Sequence, residues 1–264
     1  MQRIGFIGGG AMGESILKGL LAGGRVKDTI FVSDHNEKRL EFIKNNYGVN
    51  ITLDNKSLVQ ESEIIILAVK PQNLEEAVQG FASLFDCNKL LISILAGVTT
   101  TRLEKLFPQK CKIVRVMPNT PALAGAGTSA LAGGKFATKE DLNVALNIFQ
   151  CVGSATVLPE KMLNAVTGLS GSGPAFVALF IEALADGGVM AGLPRNIATR
   201  FAVETVAGTA KLIEETGLHP AQLKDRVTSP AGTTIYGMLQ LEKNGIRGSI
   251  MEAVLAAAKR AEEL

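Results

Sequence analysis

The stretch Arg3-Ile4-Gly5-Phe6-Ile7-Gly8-Gly9-Gly10-Ala11-Met12-Gly13 decides how the first half of the chain is read. A short apolar run enters Gly8-x-Gly10-x-x-Gly13 directly, and a helical pattern over Ala11–Ala22 follows at once. In that setting each glycine has its own work. Gly8 permits the tight turn off the strand, Gly10 keeps a Cβ out of the way of a pyrophosphate, and Gly13 lets helix and sheet pack closely. The helix N-terminus adds free N–H groups and a partial positive charge, which suit phosphate. The spacing therefore predicts a dinucleotide site, against the plainer reading of a glycine-rich turn that binds nothing.

Working outward, strand and helix patterns alternate. Thr29–Ser33 precedes a helix over Asn36–Asn45, Glu63–Ala68 a helix after Pro71, and Leu90–Ser93 a helix over Thr99–Phe107, with Lys112–Met117 beyond. Ile64-Ile65-Ile66-Leu67 is apolar without alternation, as a strand buried on both faces of a parallel sheet must be. This half reads as α/β, a Rossmann-type mostly parallel sheet, with ligands at the carboxyl ends of its strands. After Gly153 the rhythm changes. Val157 is the last expected strand residue, and every later periodic segment reads as helix: Glu160–Gly192, Arg195–Thr216, Pro220–Val227, Thr234–Lys243 and Ser249–Leu264. Pro194 and Pro220 suit first helical turns, Gly217 and Asn244-Gly245 suit helix ends, and Ser249 with Glu252 makes a capping box. The expected domains are 1–157, for a dinucleotide, and an all-α C-terminal domain, 158–264.

Composition narrows the partners. Lys+Arg 27 against Asp+Glu 25 leaves +2 with no Trp and no long basic run, which argues against nucleic acid. Cys87, Cys111 and Cys151 are odd in number, widely spaced and without a histidine cluster, so neither a disulfide framework nor a metal site is expected. The first strand follows Met1 immediately, leaving no room for a signal peptide. Glu182 and Asp186 are expected to interrupt the apolar Phe176–Leu184 stretch short of a membrane span. A cytoplasmic protein away from membranes is the expectation. Phe176, Val177, Leu179, Phe180, Ile181 and Leu184 nevertheless surround a helix on all sides. A domain of about a hundred residues has little interior for such a helix, so a subunit interface is predicted over shielding by its own domain.

Polar and glycine-bearing segments fall at the expected strand ends: Ser33-Asp34-His35-Asn36, Ala68-Val69-Lys70-Pro71, Ala96-Gly97-Val98 and Met117-Pro118-Asn119-Thr120-Pro121. Asp34 lies about twenty residues past Gly13, where a carboxylate accepts hydrogen bonds from an adenosine ribose and favours a 2′-hydroxyl. Ser33, His35, Lys38 and Arg39 stand ready for a 2′-phosphate instead, and Asp34 also suits a plain helix cap before Glu37. In the helical half, Ser229, Thr233 and Thr234 surround the Gly232 turn where a helix opens. Hydroxyls and free N–H groups converging there make a site for a small carboxylate, or simple N-caps. Small residues from Gly168 to Ala175 interrupt the long helix, for close packing or the approach of a cofactor ring.

Taken together, Gly8–Gly13, Val69-Lys70-Pro71, Met117–Pro121, Leu169-Ser170-Gly171-Ser172-Gly173-Pro174-Ala175 and the run Leu223-Lys224-Asp225 through Ser229-Pro230-Ala231-Gly232-Thr233-Thr234 resemble the pyrroline-5-carboxylate reductase family, from first strand to last helix. One departure is Ala231, where many relatives have glycine. The resemblance implies reduction of 1-pyrroline-5-carboxylate to L-proline by hydride from NADPH or NADH. It places the cofactor on Gly8, Gly10, Ala11, Met12 and Gly13, with Asn55, Val69, Lys70, Pro71, Ala96, Gly97 and Asn119 as further contacts, to which the strand ends add Ser33, Asp34 and Ala68. It places the substrate carboxylate on Ser229, Gly232, Thr233 and Thr234, with the Thr234 hydroxyl as the catalytic group facing the ring nitrogen. It also implies a homo-oligomer built from dimers through the 158–264 domain, a decamer being one such assembly. Two rival readings fare worse. A hydroxyacid dehydrogenase needs a buried lysine within the long helix, where Lys161 comes too early and Lys211 too late. A nicotinamide sensor without catalysis has no use for Ser229, Thr233 and Thr234.

Overall fold

The computed structural model describes residues 2–107 and 110–263. Its first part alternates strand and helix: β1 (Ile4–Ile7), α1 (Ala11–Ala22), β2 (Ile30–Ser33), α2 (Glu37–Tyr47), β3 (Asn50–Thr52), α3 (Asn55–Glu61), β4 (Ile64–Leu67), α4 (Leu74–Gln79), β5 (Leu90–Ser93), α5 (Thr100–Glu104) and β6 (Lys112–Met117). β7 (Gly127–Gly133), α6 (Lys139–Gln150) and β8 (Gly153–Val157) complete the sheet. The helices α7 (Leu163–Val166), α8 (Gly173–Met190), α9 (Arg195–Thr216), α10 (Pro220–Arg226), α11 (Thr233–Lys243) and α12 (Ile246–Glu262) follow.

The eight strands form one sheet in the order β3-β2-β1-β4-β5-β6-β7-β8, parallel except between β6 and β7, so that β7 and β8 run opposite to the rest. Because side chains alternate along a strand, each central strand feeds two cores. Ile64 and Ile66 join Ile4, Phe6, Val32 and Phe149 on one face, while Ile65 and Leu67 join Ile7, Phe81, Phe85 and Ile113 on the other. That is why Ile64–Leu67 reads as an unbroken apolar run. β3, α3, β7 and α6 are additions to the elements read from the sequence. β3 is three residues of partial exposure, too short for a periodic signal.

A buried polar network ties the sheet to the chain that follows it. Arg115 on β6 is 2 % exposed; its Nη1 lies 3.4 Å from Glu160 Oε1 and its Nη2 donates to Asn164 Oδ1 at 3.1 Å. Glu160 also accepts from the Thr100 N–H at 2.7 Å and the Thr100 hydroxyl at 2.6 Å. A guanidinium taken out of water needs such partners.

The chain divides into two compact units, Met1–Ser172 with Ala256–Leu264, and Gly173–Leu255. The junction expected at 157/158 marks the end of the sheet, and the units part later in the chain. In the second unit Ala185, Ala198 and Ala202 form a small core between α8 and α9. A Cβ on Gly188 would lie 3.1 Å from that of Ala198, so this close approach requires small residues.

Four local expectations are corrected. Glu160–Met190 is a helical stretch of 31 residues, long and apolar enough by composition to cross a membrane, and Glu182 and Asp186 do not shorten it. Two acidic groups in so long a stretch leave its average apolar. The small residues near Gly168 widen this stretch into a π-turn over Thr167–Gly171 in place of a break. Ser249 forms no capping box: Gly245 turns the chain at φ +68°, α12 begins at Ile246, and the Ser249 hydroxyl donates to the Gly245 carbonyl at 3.3 Å. Pro194 precedes α9 as its cap, while Pro220 does open α10. Leu264, the expected end of the last helix, lies outside the described residues.

Candidate active site

The Gly8–Gly13 turn is built as its spacing demands. Gly8 has φ +102°, and a Cβ there would sit 2.6 Å from the Ala68 carbonyl oxygen. Gly13 packs so near the Gly8 carbonyl that a Cβ would come within 2.7 Å. At Gly10, the N-cap of α1, a Cβ would meet nothing within 4 Å. The backbone there borders open space, which is the room a pyrophosphate needs. The donor-rich start of α1, ahead of Glu14, is intact for it.

That space is a cleft of about 650 Å³. Gly8, Gly10, Ser33, Asp34, Asn55, Ala68, Val69 and Lys70 line it, so the ends of β1, β2 and β4 meet as predicted. Ile7, His35, Asn73, Glu76 and Ala77 line it as well. Of these, Asn73, Glu76 and Ala77 carry no local signal; the crossover after β4 brings them in. Ala11, Met12, Gly13, Pro71, Ala96, Gly97 and Asn119 do not line the cleft. Asn119 is buried, and its Oδ1 accepts the Thr128 N–H at 2.8 Å, pinning the start of β7.

Polar groups around the cleft are tightly interlinked. Ser33 Oγ donates to Asn55 Oδ1 at 2.7 Å, joining the end of β2 to the start of α3. Asp34 is not the cap of α2; Asn36 is, accepting from the Arg39 N–H. Asp34 Oδ2 accepts the Gly9 N–H at 2.8 Å instead. Arg39 Nε donates to the Gly9 carbonyl at 2.5 Å, and its Nη2 pairs with Glu14. Burial alone would raise the Glu14 carboxyl, yet hydrogen bonds from Tyr47 and Arg39 hold it below its ordinary value. Tyr47 in turn donates to Glu14 at 2.5 Å, and chiefly for that reason its hydroxyl is pushed up to about 12.

In the helical unit, the loop after α10 leads into α11. Thr228 Oγ1 donates to the Lys224 carbonyl at 2.7 Å, and the Gly232 N–H to the Ser229 carbonyl at 3.1 Å. α11 begins one residue earlier than expected, at Thr233, and its N-cap is Gly232 with no side-chain cap. Ser229, Thr233 and Thr234 are therefore not N-caps, and the first N–H groups of α11 keep their donors for a ligand. A Cβ on Gly232 would run into Ser229 Oγ, so a larger residue there would force the Ser229 side chain to turn aside. Ala231, by contrast, carries a Cβ at φ +54°, the one non-glycine with positive φ among the described residues.

Comparison with known proteins agrees with this layout. Residues 160–264 match the family model for pyrroline-5-carboxylate reductase dimerisation, and residues 3–97 match one described as NADP oxidoreductase, coenzyme F420-dependent. A pyrroline-5-carboxylate reductase of Synechocystis is 50 % identical over 264 residues, covering 99 % of this chain and 98 % of that protein. The chain belongs to the pyrroline-5-carboxylate reductase family. Among solved members, the Coxiella burnetii enzyme superposes with a TM-score of 0.93 at 35 % identity, covering 99 % of this chain and 98 % of that one. The Plasmodium falciparum member, solved with NADP bound, gives 0.90 at 33 % identity over 99 % and 97 % of the two chains. For this family the exposed apolar face of α8 has a plain use, since α8 lies within the dimerisation match. Among the described residues no group of three His, Cys, Asp or Glu gathers to hold a metal.

Proposed function

We propose that this protein reduces 1-pyrroline-5-carboxylate to L-proline with NADH or NADPH, the last step of proline biosynthesis. The observation that carries this reading is the full-length likeness to a reductase of that name at 50 % identity. When bound, the reduced nicotinamide supplies a hydride to the imine carbon. The chain's part is to hold the reactants. Gly8, Gly10 and the start of α1 receive the pyrophosphate, with Ala11, Met12 and Gly13 carrying that turn into the helix. Ser33, Asp34, Asn55, Ala68, Val69 and Lys70 border the part of the cofactor within the cleft, and Pro71, Ala96, Gly97 and Asn119 would meet it only where it extends beyond that cleft. Ser229, Gly232, Thr233 and the first N–H groups of α11 hold the substrate carboxylate. The Thr234 hydroxyl hydrogen-bonds the imine nitrogen, which keeps the protonated, hydride-accepting form in place. Positioning supplies most of the acceleration, and no nucleophile or metal is needed.

The protein works as a cytoplasmic homo-oligomer with the dimer as its unit and a decamer as the larger assembly to test. Oxidation of each reduced cofactor with 1-pyrroline-5-carboxylate, against a panel of ketoacids, tests the reaction; turnover of a ketoacid in place of the imine overturns it. Thr234→Ala is expected to lower kcat by about tenfold to a hundredfold, the loss of one hydrogen bond to a charged nitrogen. Ser229→Ala is expected to raise KM with kcat nearly unchanged, because a carboxylate contact is the same in ground and transition states.

A further inference from the structure

The end of β2 carries an arrangement that bears on which nicotinamide cofactor fits. Asp34 lines the cleft with its side chain 12 % exposed. Two backbone donors hold its carboxylate, the Gly9 N–H on Oδ2 at 2.8 Å and the Asn36 N–H on Oδ1 at 3.0 Å. So fixed, the carboxylate has no freedom to swing away from a ligand. The arginine nearest in sequence is spoken for: Arg39 is held by the Gly9 carbonyl and Glu14, and its guanidinium lies 5.0 Å above the Phe42 ring. The rest of the lining adds Glu76 against Lys70, and His35 stands with Nδ1 3.5 Å from Asp34 Oδ1.

A ribose 2′-hydroxyl donates a hydrogen bond to such a carboxylate. A 2′-phosphate brings about −1.5 to −2 charge and acceptor oxygens, which repel it. Resting on the reading of this cleft as the cofactor site, we infer that Asp34 selects against the 2′-phosphate, so that the protein binds NADH in preference to NADPH. Family likeness does not supply this, since the Plasmodium falciparum relative was solved with NADP. Of the cations that could offset the phosphate, Arg39 is captured by Glu14 and the Gly9 carbonyl, which leaves the exposed His35 and Lys38 against the fixed carboxylate.

Titration calorimetry of the whole protein with NADH and NADPH, and with ADP-ribose and 2′-phospho-ADP-ribose, reads the preference without turnover. The unphosphorylated member of each pair is expected to bind about tenfold tighter, ~1.4 kcal/mol. Asp34→Asn keeps an acceptor for the Gly9 N–H while removing the charge, and is expected to bring each pair within about threefold. Equal or tighter binding of the phosphorylated member to the unaltered protein overturns the inference and leaves the cofactor site standing. An unchanged ratio in Asp34→Asn also overturns it, and failure of all four ligands to bind overturns the cofactor reading as well.

Discussion

Between β1 and β6 the apolar side chains of the strands are inside, and from Gly173 to Leu255 the apolar side chains are mostly outside. Ile64, Ile65, Ile66 and Leu67 are at most 1 % exposed, whereas Leu179 is 66 %, Met190 90 % and Leu255 68 % exposed. In the second unit the buried residues are Ala185, Ala198, Ala202 and Leu223. The sheet thus meets its own need for burial through two cores, one on each face. The helical unit closes a seam of alanines and leaves most of its leucines, with Phe180 and Phe201, without cover. A contiguous apolar surface of that kind marks an interface, and the dimerisation match over 160–264 says which kind. One unit is finished by its own chain, and the other leaves an apolar face that the proposed dimer would cover.

A charge on the uncovered face perturbs the helical unit most. Leu179→Arg is expected to weaken self-association by at least about a hundredfold, ~2.7 kcal/mol, since an unpaired charge cannot be buried cheaply. Sedimentation equilibrium reads it, and an unaltered assembly would mean that this face is not the interface. The converse change lies in the first unit. Glu160→Ala leaves the buried Arg115 with Asn164 as its remaining partner and orphans the Thr100 donors. A loss of about 3 kcal/mol in urea unfolding is expected, with the state of association unchanged. If the oligomer falls apart instead, the stability of the first unit and self-association through the second are not separate. The smallest effect concerns backbone strain in the helical unit. Ala231 at φ +54° bears about 1 kcal/mol of left-handed strain, partly offset because glycine loses more freedom on folding. Ala231→Gly is expected to gain about 0.5 kcal/mol in the same urea experiment. A loss would show that the loop needs the methyl group.

The same division governs how much was legible in advance. α1, β5, β6 and α9 lie where the sequence puts them, because apolar periodicity and glycine or proline punctuation are local signals. The glycine turn is legible for the same reason: the conformation of Gly8 and the space at Gly10 belong to the backbone itself. The alternative roles considered for Asp34 and for Ser229, Thr233 and Thr234 were not decided by local pattern. A carboxylate before a helix looks alike whether it caps or not, and the choice fell to Asn36 and Gly232. β7, Asn73, Glu76 and Ala77 were invisible because their places depend on how distant strands pair and cross over.

By itself the sequence determined the order of strand and helix, the phosphate-sized gap at Gly10, and an excess of apolar surface on α8 that requires a partner. Only the tertiary structure decided that Gly9 holds Asp34, that Glu14 and the Gly9 carbonyl capture Arg39, that Asn119 serves the sheet edge at Thr128, and that Arg115 finds Glu160. The physical reason is the range of the forces: backbone conformation and periodic burial are set by neighbours a few residues away, whereas a buried polar side chain takes whichever partner the packed fold leaves within reach.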